Sequence, residues 1–333
     1  MAVKQRVVIV TTGGTIAMVT DPVTGASVPA QGMSKHVADV EGLEEVAYAE
    51  HHEFSNIPSP YMNPETMWRL SKTVQRLLDR DEVCGAVITH GTDTLEETAY
   101  FLDLTVRSEK PVICTAAMRN IDEMGTDGPR NVLSSVRVAV NPLAVGMGTM
   151  VCLNDEIHAA REVTKTYTSN VATFDSPGHG PLGIVDEDSV IFFRKPLLRT
   201  VFNVDNIESK VALVKTFTGD DGSILRSLPQ LGFKGVVLET FGRGNVPVEV
   251  YHVVKYLIEE KRVPVIITSR CFKGRVLGVY GYVGGGKSLA ELGAIFAQEL
   301  SPIKARIKLI VIMGITNDMA EIERLFKLPL KGA

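Results

Sequence analysis

The chain has 333 residues, 45% of them hydrophobic and 22% charged, a composition that gives a globular protein ample apolar surface for a core. Its length exceeds the usual size of one compact core, so we expect two domains. A formal net charge of -4 without a long basic run excludes nucleic acid and anionic membranes as expected partners, and no apolar stretch reaches the ~20 residues of a membrane-spanning helix.

The N-terminal segment MAVKQRVVIVTTGG enters a strand almost at once. It lacks the basic segment, apolar segment and small-residue cleavage site that mark a signal peptide. The sequence therefore predicts a cytoplasmic protein.

The first strand ends in TTGGTIA, residues 11–17. Its two glycines allow unusual backbone angles and close approach to a ligand, and a threonine hydroxyl held there could attack an electrophile once a base removes its proton. The alternative is a tight turn in which Thr11, Thr12 and Thr15 bond only to the backbone. This stretch alone leaves both interpretations open.

Apolar, β-branched runs then alternate with helical patterns along the first half of the chain. The runs are RVVIVT, CGAVIT, KPVICTA and TMVCLN, and the helical patterns are NPETMWRLSKTVQRLLD and DTLEETAYFLDLTVR. Strands without polar alternation are buried on both faces, which is typical of a parallel sheet covered by helices. Ligands bind at the carboxyl ends of such strands, so the loops there are the candidate site.

His51, His52 and Glu53 are the residues most reminiscent of metal ligands. Adjacent strand residues point to opposite faces, and no third ligand cluster has suitable spacing, so we expect no metal site. Four cysteines, at 84, 114, 152 and 271, also lack metal-ligand spacing. Three of them lie in apolar runs and are best interpreted as buried free thiols.

A second strand ends in VITHGTDTLEETA, residues 87–99. Thr94 with Glu97 fits a capping box, and Asp93 suits a positive helix terminus, so a structural role explains the segment. The same geometry would let backbone N–H groups hold an oxyanion while Asp93 orients a base or an ammonium group. Lys165, in REVTKTYTSNVATFDS, is either a surface lysine or a group that exchanges or positions a proton.

The alternation weakens over residues 192–209, which we interpret as a linker, and a second α/β pattern follows. Its strands are KVALVKT, GVVLET and VPVIITS; its helices are expected near residues 223–231, from Pro247, and from Pro302 after the cap residue Ser301. Residues 281–288, GYVGGGKS, match a phosphate-loop pattern with a helix expected from Leu289, but no strand ending in a magnesium-binding aspartate accompanies it.

The segments TGGTIA at 12–17 and ITHGTDTLEETA at 88–99 together resemble the bacterial L-asparaginase and asparaginase–glutaminase family. The resemblance continues through AYFLDLTVRSEKPVICTAAMR, DGPRN, REVTKTYTSNVATF and GPLG, and more loosely through GRGNVP, so it spans nearly the whole chain. It implies a two-domain α/β fold with mainly parallel sheets covered by helices. We place a larger N-terminal domain at residues 1–193, a linker at 194–209 and a smaller C-terminal domain at 210–333.

By this resemblance Thr12 is a nucleophile that attacks a side-chain amide, as that of L-asparagine or L-glutamine, and forms an acyl-enzyme ester. Thr92, Asp93 and Lys165 form the hydrogen-bonded relay that activates a hydroxyl or water, which agrees with the chemical need for a nucleophile, a base and an orienting acid. The backbone near Thr92 would stabilise the oxyanion. The resemblance implies no cofactor and no metal.

The resemblance also assigns Ser59, Gly91, Ala117 and Asn245 to substrate binding. Ser59, in PSPYM, would hold the substrate α-carboxylate. Asn245 would reach the active site of a neighbouring subunit, because the family assembles as a homotetramer.

Three departures from the family pattern concern the substrate α-amino group. Pro60 stands where the family has a glutamine, the lid segment at 20–34 has no tyrosine, and the region GVYGYVGGGK has no acid. Tyr61 or Tyr280 could replace the lost groups. Loss of polar partners changes discrimination strongly, so the alternative substrate is another small carboxylate-bearing amide. A further alternative is a non-catalytic small-molecule or nucleotide-binding protein using residues 281–288.

Overall fold

A computed structural model describes residues 4–29, 40–197 and 199–329 of the chain. It divides into two compact units, Met1–Val201 and Phe202–Ala333. Each unit is built around its own sheet. The expected α/β class is confirmed for both.

The N-terminal unit contains an eight-stranded sheet in the order β12-β11-β8-β7-β6-β5-β1-β4. These strands are β1 (Arg6–Thr11), β4 (Tyr48–Glu53), β5 (Val83–Thr89), β6 (Val112–Thr115), β7 (Thr149–Leu153), β8 (Glu156–Ala159), β11 (Gly183–Asp186) and β12 (Ser189–Phe192). Strands β4, β1, β5, β6 and β7 run parallel, as their unbroken apolar runs predict. The antiparallel extension through β8, β11 and β12 was not foreseen.

Two hydrophobic cores explain why the first strand shows no polar alternation. Val7 and Ile9 point into one core, and Val8 and Val10 point into the other. The helices of this unit are α1 (Leu43–Val46), α2 (Pro64–Leu78), α3 (Leu95–Thr105) and α4 (Gly128–Val140). Helix α4 packs on the Val7 side, whereas α2 and α3 supply the core on the Val8 side.

Strand β1 lies between β4 and β5, so the chain reverses its direction of travel across the sheet beside β1. Such a switch point opens a crevice outside the carboxyl ends of the strands. The loops after β1, β4, β5 and β6 meet at this edge. They contain the threonine motifs singled out from the sequence.

Two small antiparallel sheets lie outside the main sheet of this unit. One pairs β2 (Met18–Thr20) with β3 (Ser27–Pro29), and the other pairs β9 (Thr164–Lys165) with β10 (Phe174–Asp175). Strand β3 and the last residue of β2 lie in the predicted lid segment at 20–34, of which residues 30–34 lie outside the described residues. The second sheet carries Lys165.

The C-terminal unit contains a four-stranded parallel sheet in the order β13-β14-β15-β16. Its strands are β13 (Val211–Lys215), β14 (Gly235–Thr240), β15 (Val265–Ser269) and β16 (Ile295–Phe296). Its helices are α5 (Ser223–Ser227), α6 (Val248–Glu259), α7 (Gly286–Glu291), α8 (Pro302–Met313) and α9 (Met319–Phe326). The predicted starts near 223, after Pro247 and at Pro302 are confirmed, whereas α7 begins three residues before the predicted Leu289.

Between β12 and β13, the described residues 193–197 and 199–210 contain no helix or strand. Among all described residues, no helix is long and apolar enough to cross a membrane. The cysteines are free: Cys114 and Cys152 are buried, Cys84 is half-buried and Cys271 is exposed. Burial raises the pKa of the Cys152 thiol to about 12, so it is inert at neutral pH.

Candidate active site

Thr12 follows directly after β1 and is held by the end of β5. Its backbone N–H and its side-chain hydroxyl both donate to the carbonyl of Thr89, at 3.0 and 2.9 Å. Its own carbonyl accepts from the backbone N–H of Ile57 at 3.0 Å. Only 2% of Thr12 is exposed. The threonine oxygen is therefore fixed at the switch point in one orientation.

The two glycines after Thr12 are required by backbone geometry. Gly13 has φ +109° and Gly14 has φ +87°, conformations that side chains rarely adopt. A Cβ on Gly13 would lie within 3.0 Å of the Ile57 backbone, and one on Gly14 within 3.0 Å of the Gly91 backbone. The loop thus fits between the backbones that follow β4 and β5. The unusual backbone angles predicted for the glycine pair are present, but the close approach seen here is to the protein backbone rather than to a ligand.

Thr92 and Asp93 lie in the turn between β5 and α3, where they meet Lys165 from β9. The Lys165 Nζ donates to the Thr92 hydroxyl at 2.9 Å and to the Asp93 carboxylate at 2.7 Å. The Lys165 side chain is 16% exposed and that of Asp93 is 59% exposed. Lys165 is more than 70 positions from Thr92 and Asp93 in sequence, yet the fold assembles the three residues as one hydrogen-bonded group.

An ammonium group donates hydrogen bonds and accepts none. Thr92 Oγ1 therefore accepts a hydrogen bond from Lys165, and its own hydroxyl hydrogen remains available for a bound water or another hydroxyl. Asp93 neutralises the lysine at the solvent side of the group. This arrangement can polarise a hydroxyl or a water, which is what hydrolysis of an acyl compound requires.

The Ser59 side chain occupies the space beside the Gly91 backbone. A Cβ on Gly91 would be 2.6 Å from the Ser59 Oγ, so only glycine fits at this position. Ser59 is buried at the start of a short 3-10 turn, Ser59–Tyr61. Ala117, which follows β6 at the same edge of the sheet, is also buried.

The predicted capping box of Thr94 and Glu97 is wrong. Thr94 does occupy the N-cap position of α3, but its side chain makes no capping hydrogen bond. Its hydroxyl donates instead to the carbonyl of Ser59 at 2.8 Å. A partner 35 residues away has replaced the local one, and it ties the Ser59 turn to the start of α3.

His90 and Glu96 were not singled out from the sequence. Burial lowers the pKa of His90 to about 4, so its ring is neutral. Its Nδ1 lies 2.8 Å from the Gly91 carbonyl and must donate to it, which leaves Nε2 to accept from the Thr98 hydroxyl at 3.0 Å. Glu96, in the first turn of α3, accepts from the backbone N–H of Lys165 at 3.2 Å. The two adjacent acidic residues that follow the threonine motif, Glu96 and Glu97, are the sequence feature that could have drawn attention to Glu96.

Asn245 belongs to the C-terminal unit, where it follows β14. Its side-chain oxygen accepts from the backbone N–H of Gly286 at 3.1 Å, and Val246 N–H donates to the Gly284 carbonyl at 2.8 Å. Residues 281–288, which match the phosphate-loop pattern, are held by hydrogen bonds within their own loop. The single hydrogen of the Ser288 hydroxyl is shared between the carbonyls of Gly285 and Tyr282, at 2.8 and 3.1 Å, so this side chain is engaged within the loop.

His51, one of the residues considered and rejected as metal ligands, contacts the end of β1. His51 lies on β4, and its Nε2 is 3.1 Å from the Thr11 hydroxyl. Within the described residues, no group of three or more His, Cys, Asp or Glu is arranged to hold a metal ion.

Comparison with known proteins places these motifs in context. The family model described as Asparaginase, N-terminal matches residues 6–198, and the one described as Glutaminase/Asparaginase C-terminal domain matches residues 210–326. The L-asparaginase of Bacillus licheniformis is 35% identical over 311 residues, which cover 93% of this chain and 96% of the relative. The glutaminase-asparaginase of Pseudomonas aeruginosa is 34% identical over 336 residues, which cover 97% of this chain and 90% of the relative.

A solved structure is also similar. The probable cytoplasmic L-asparaginase from Campylobacter jejuni matches with a TM-score of 0.86 at 33% identity, and the match covers 97% of this chain and 99% of that one. The predicted two-domain architecture, a large mainly parallel sheet followed by a smaller parallel one, is thereby confirmed.

Proposed function

Because this chain belongs to the asparaginase–glutaminase family of amidohydrolases, we propose that Thr12 is its nucleophile and that Thr92, Asp93 and Lys165 activate it. The enzyme hydrolyses the side-chain amide of L-asparagine, or of L-glutamine, to the acid and ammonia. One observation carries the residue assignment: Lys165 Nζ bridges the Thr92 hydroxyl and the Asp93 carboxylate at 2.9 and 2.7 Å.

In the first step Thr12 Oγ1 attacks the amide carbon. A C–O bond forms, the C–N bond breaks, and the hydroxyl proton leaves with the nitrogen as ammonia, so the acyl group becomes an ester of Thr12. In the second step a water attacks the ester and returns a proton to Thr12. Lys165 supports both steps through Thr92. Because the Lys165 ammonium donates to the Thr92 oxygen, the Thr92 hydroxyl hydrogen points away from the lysine and towards the reacting groups.

The oxyanion formed in each step needs donors that are already in place. The backbone of the turn that leads into α3 is suited to this task, since N–H groups at a helix start have no partner within the helix. Ser59, Gly91 and Ala117 complete the proposed substrate site at the same sheet edge. The Ser59 hydroxyl is a donor for the substrate α-carboxylate.

A second substrate class is favoured by Pro60. It is exposed in the turn beside Ser59 and has no side-chain donor or acceptor for an α-amino group. A monoamide of a dicarboxylic acid without that amino group would lose nothing at this position. Turnover of such a monoamide at a higher kcat/KM than L-asparagine would support this substrate; a Pro60→Gln variant with unchanged preference would oppose it.

We also propose that the enzyme is a cytoplasmic homo-oligomer, expected to be a tetramer, in which Asn245 completes the active site of a neighbouring subunit. Residues 1–201 carry 17 Lys and Arg against 26 Asp and Glu, whereas residues 202–333 carry 18 Lys and Arg against 13 Asp and Glu. These opposite net charges support association between the N-terminal unit of one subunit and the C-terminal unit of another. The loop that Asn245 holds also exposes Tyr280 and Tyr282. Such aromatic groups are enriched in interfaces.

The boundaries at residues 1–193, 194–209 and 210–333 remain our proposal for the domain organisation. The first matched family region ends at residue 198 and the second begins at residue 210, which supports a connection that ends at residue 209.

The proposed nucleophile is tested with Thr12→Ala and Thr11→Val. Ammonia release from L-asparagine, L-glutamine and related amides should fall by at least ~10³-fold in the first variant, because the attacking oxygen is removed. Thr11→Val removes a hydroxyl from the adjacent residue and should retain most of the activity. Full activity of Thr12→Ala would overturn the mechanism.

A further inference from the structure

We propose that Glu96 is a positioning residue, which holds β9 so that the Lys165 ammonium meets Thr92 and Asp93. This inference rests on the proposed function of Lys165. Glu96 makes none of the contacts expected of a group that touches substrate, and its effect on the reaction would pass through the lysine.

The contacts of Glu96 lie on the backbone side of the lysine. Glu96 Oε1 accepts from the Thr164 hydroxyl at 3.1 Å and from the Lys165 backbone N–H at 3.2 Å. Both donors belong to β9. A single acceptor atom therefore fixes the register of this two-residue strand against the first turn of α3.

The two ends of Lys165 are consequently held by one short stretch of chain. Thr92 and Asp93 bind the ammonium, and Glu96 binds the backbone N–H, all within residues 92–96. A shift of β9 along α3 would carry the ammonium away from Thr92. Misplacement by about 1 Å can cost on the order of 10²-fold in rate, so this contact is expected to matter for turnover.

The second oxygen of Glu96 shows that the residue is not a simple stability element. Only 5% of Glu96 is exposed, and its Oε2 is buried and accepts no hydrogen bond from the described residues. A buried acceptor without a partner costs folding free energy. The stabilising contacts come from Oε1 alone, and a glutamine can supply the same carbonyl oxygen.

The experiment compares Glu96→Ala, Glu96→Gln and Thr164→Val, with Thr105→Val as the matched control. Thr105 lies at the other end of α3, and its buried hydroxyl donates to the Phe101 carbonyl at 2.7 Å. Each variant is assayed for kcat and KM on L-asparagine and for its thermal unfolding temperature.

We expect Glu96→Ala to lower kcat by about 10- to 100-fold with KM within about 2-fold, because Ser59 is held separately by Thr94. Glu96→Gln should recover kcat to within about 3-fold, since its amide oxygen accepts the same bonds. Thr164→Val should lower kcat by a smaller factor, and Thr105→Val should leave it unchanged. If Glu96→Ala does not fold, Thr164→Val tests the same contact.

A double-mutant cycle identifies the route of the effect. If Glu96 acts through Lys165, then Glu96→Ala has no further effect on kcat in a Lys165→Met background. Additive losses, equal losses in Glu96→Ala and Glu96→Gln, or an unchanged kcat in Glu96→Ala would overturn the inference. Full activity of Thr12→Ala would instead overturn the proposed function, so the two failures are distinguishable.

Discussion

The hydroxyl of Thr94 donates to the carbonyl of Ser59 at 2.8 Å. This bond joins the turn that follows β4 to the start of α3, and Gly91 packs closely on the Ser59 side chain. The proposed carboxylate-binding residue and the proposed relay are thus parts of one hydrogen-bonded frame. A substrate bound to Ser59 would therefore be held by the same frame that carries Thr92.

Removal of the lysine should abolish most turnover and leave the fold intact. Lys165→Met loses both bonds of Nζ, so we expect kcat for ammonia release to fall by about 10²- to 10⁴-fold. The remaining Asp93 is 59% exposed and stays hydrated, so the unfolding temperature should change little. Lys327→Met, which breaks an ion pair with Glu323 on the surface, is the control and should retain full kcat.

A methyl group at position 14 should damage both folding and catalysis. Gly14→Ala places a Cβ within 3.0 Å of the Gly91 backbone and forces φ +87° on alanine. Gly232 has φ +82° but open space around it, so Gly232→Ala isolates the backbone cost of about 1 to 2 kcal/mol. Urea unfolding should show a larger loss for Gly14→Ala, together with a drop in kcat. Equal effects of the two substitutions would contradict the close approach seen here.

The protein should lose stability in mild acid because of His90. Burial lowers its pKa to about 4, whereas an unfolded histidine titrates near ~6.5. Between these values the unfolded state binds more protons, so the unfolding free energy falls as the pH falls from ~6.5 towards ~4. Above pH ~6.5 the neutral ring of His90 costs no free energy of unfolding, and the protein has its full stability.

Urea unfolding at pH 7 and pH 5 tests this dependence. Between pH 7 and pH 5, the unfolding free energy of His90→Gln should fall by about 2 kcal/mol less than that of the unsubstituted protein. Burial also lowers the pKa of His158, but this histidine is present in both proteins and drops out of the difference. Parallel pH curves for the two proteins would contradict the assignment.

Asn245 is expected to affect turnover without affecting assembly. In Asn245→Ala, ammonia release should fall by roughly 10²-fold through loss of a polar partner for the substrate, while light scattering reports an unchanged oligomer. Ser288→Ala is the matched control, because it removes hydroxyl contacts from the loop that Asn245 also binds. A similar loss in both variants would assign the effect to the loop.

The sequence predicts the strands that are buried on both faces, because their unbroken apolar runs reflect local burial. Strands β8, β11 and β12 were not predicted because none of them is buried along its whole length, unlike the equally short β6. The turn before β8 has positive φ angles at Asn154 and Asp155, a hairpin signal that the strand pattern does not include.

For the candidate site, too, the sequence predicts the residues that lie in local motifs and misses the contacts made between distant parts of the chain. Thr12 and the relay follow from motifs of a few residues. The hydroxyl partner of Thr94 and the backbone partner of Glu96 lie 35 and 69 positions away. Local spacing predicts Glu97 as the hydrogen-bond partner of Thr94. The Ser59 carbonyl becomes the actual partner because the folded chain brings it close to Thr94.

Strands β9 and β10 form a two-stranded sheet apart from the eight-stranded one. Beyond Glu96, the hairpin is closed by Thr166, whose N–H and hydroxyl both donate to the Thr173 carbonyl. For enzyme engineering, this separation makes the hairpin an adjustable part. A library restricted to residues 164, 166 and 173 could retune the height of the lysine above the sheet edge while every strand of the main scaffold keeps its pairing.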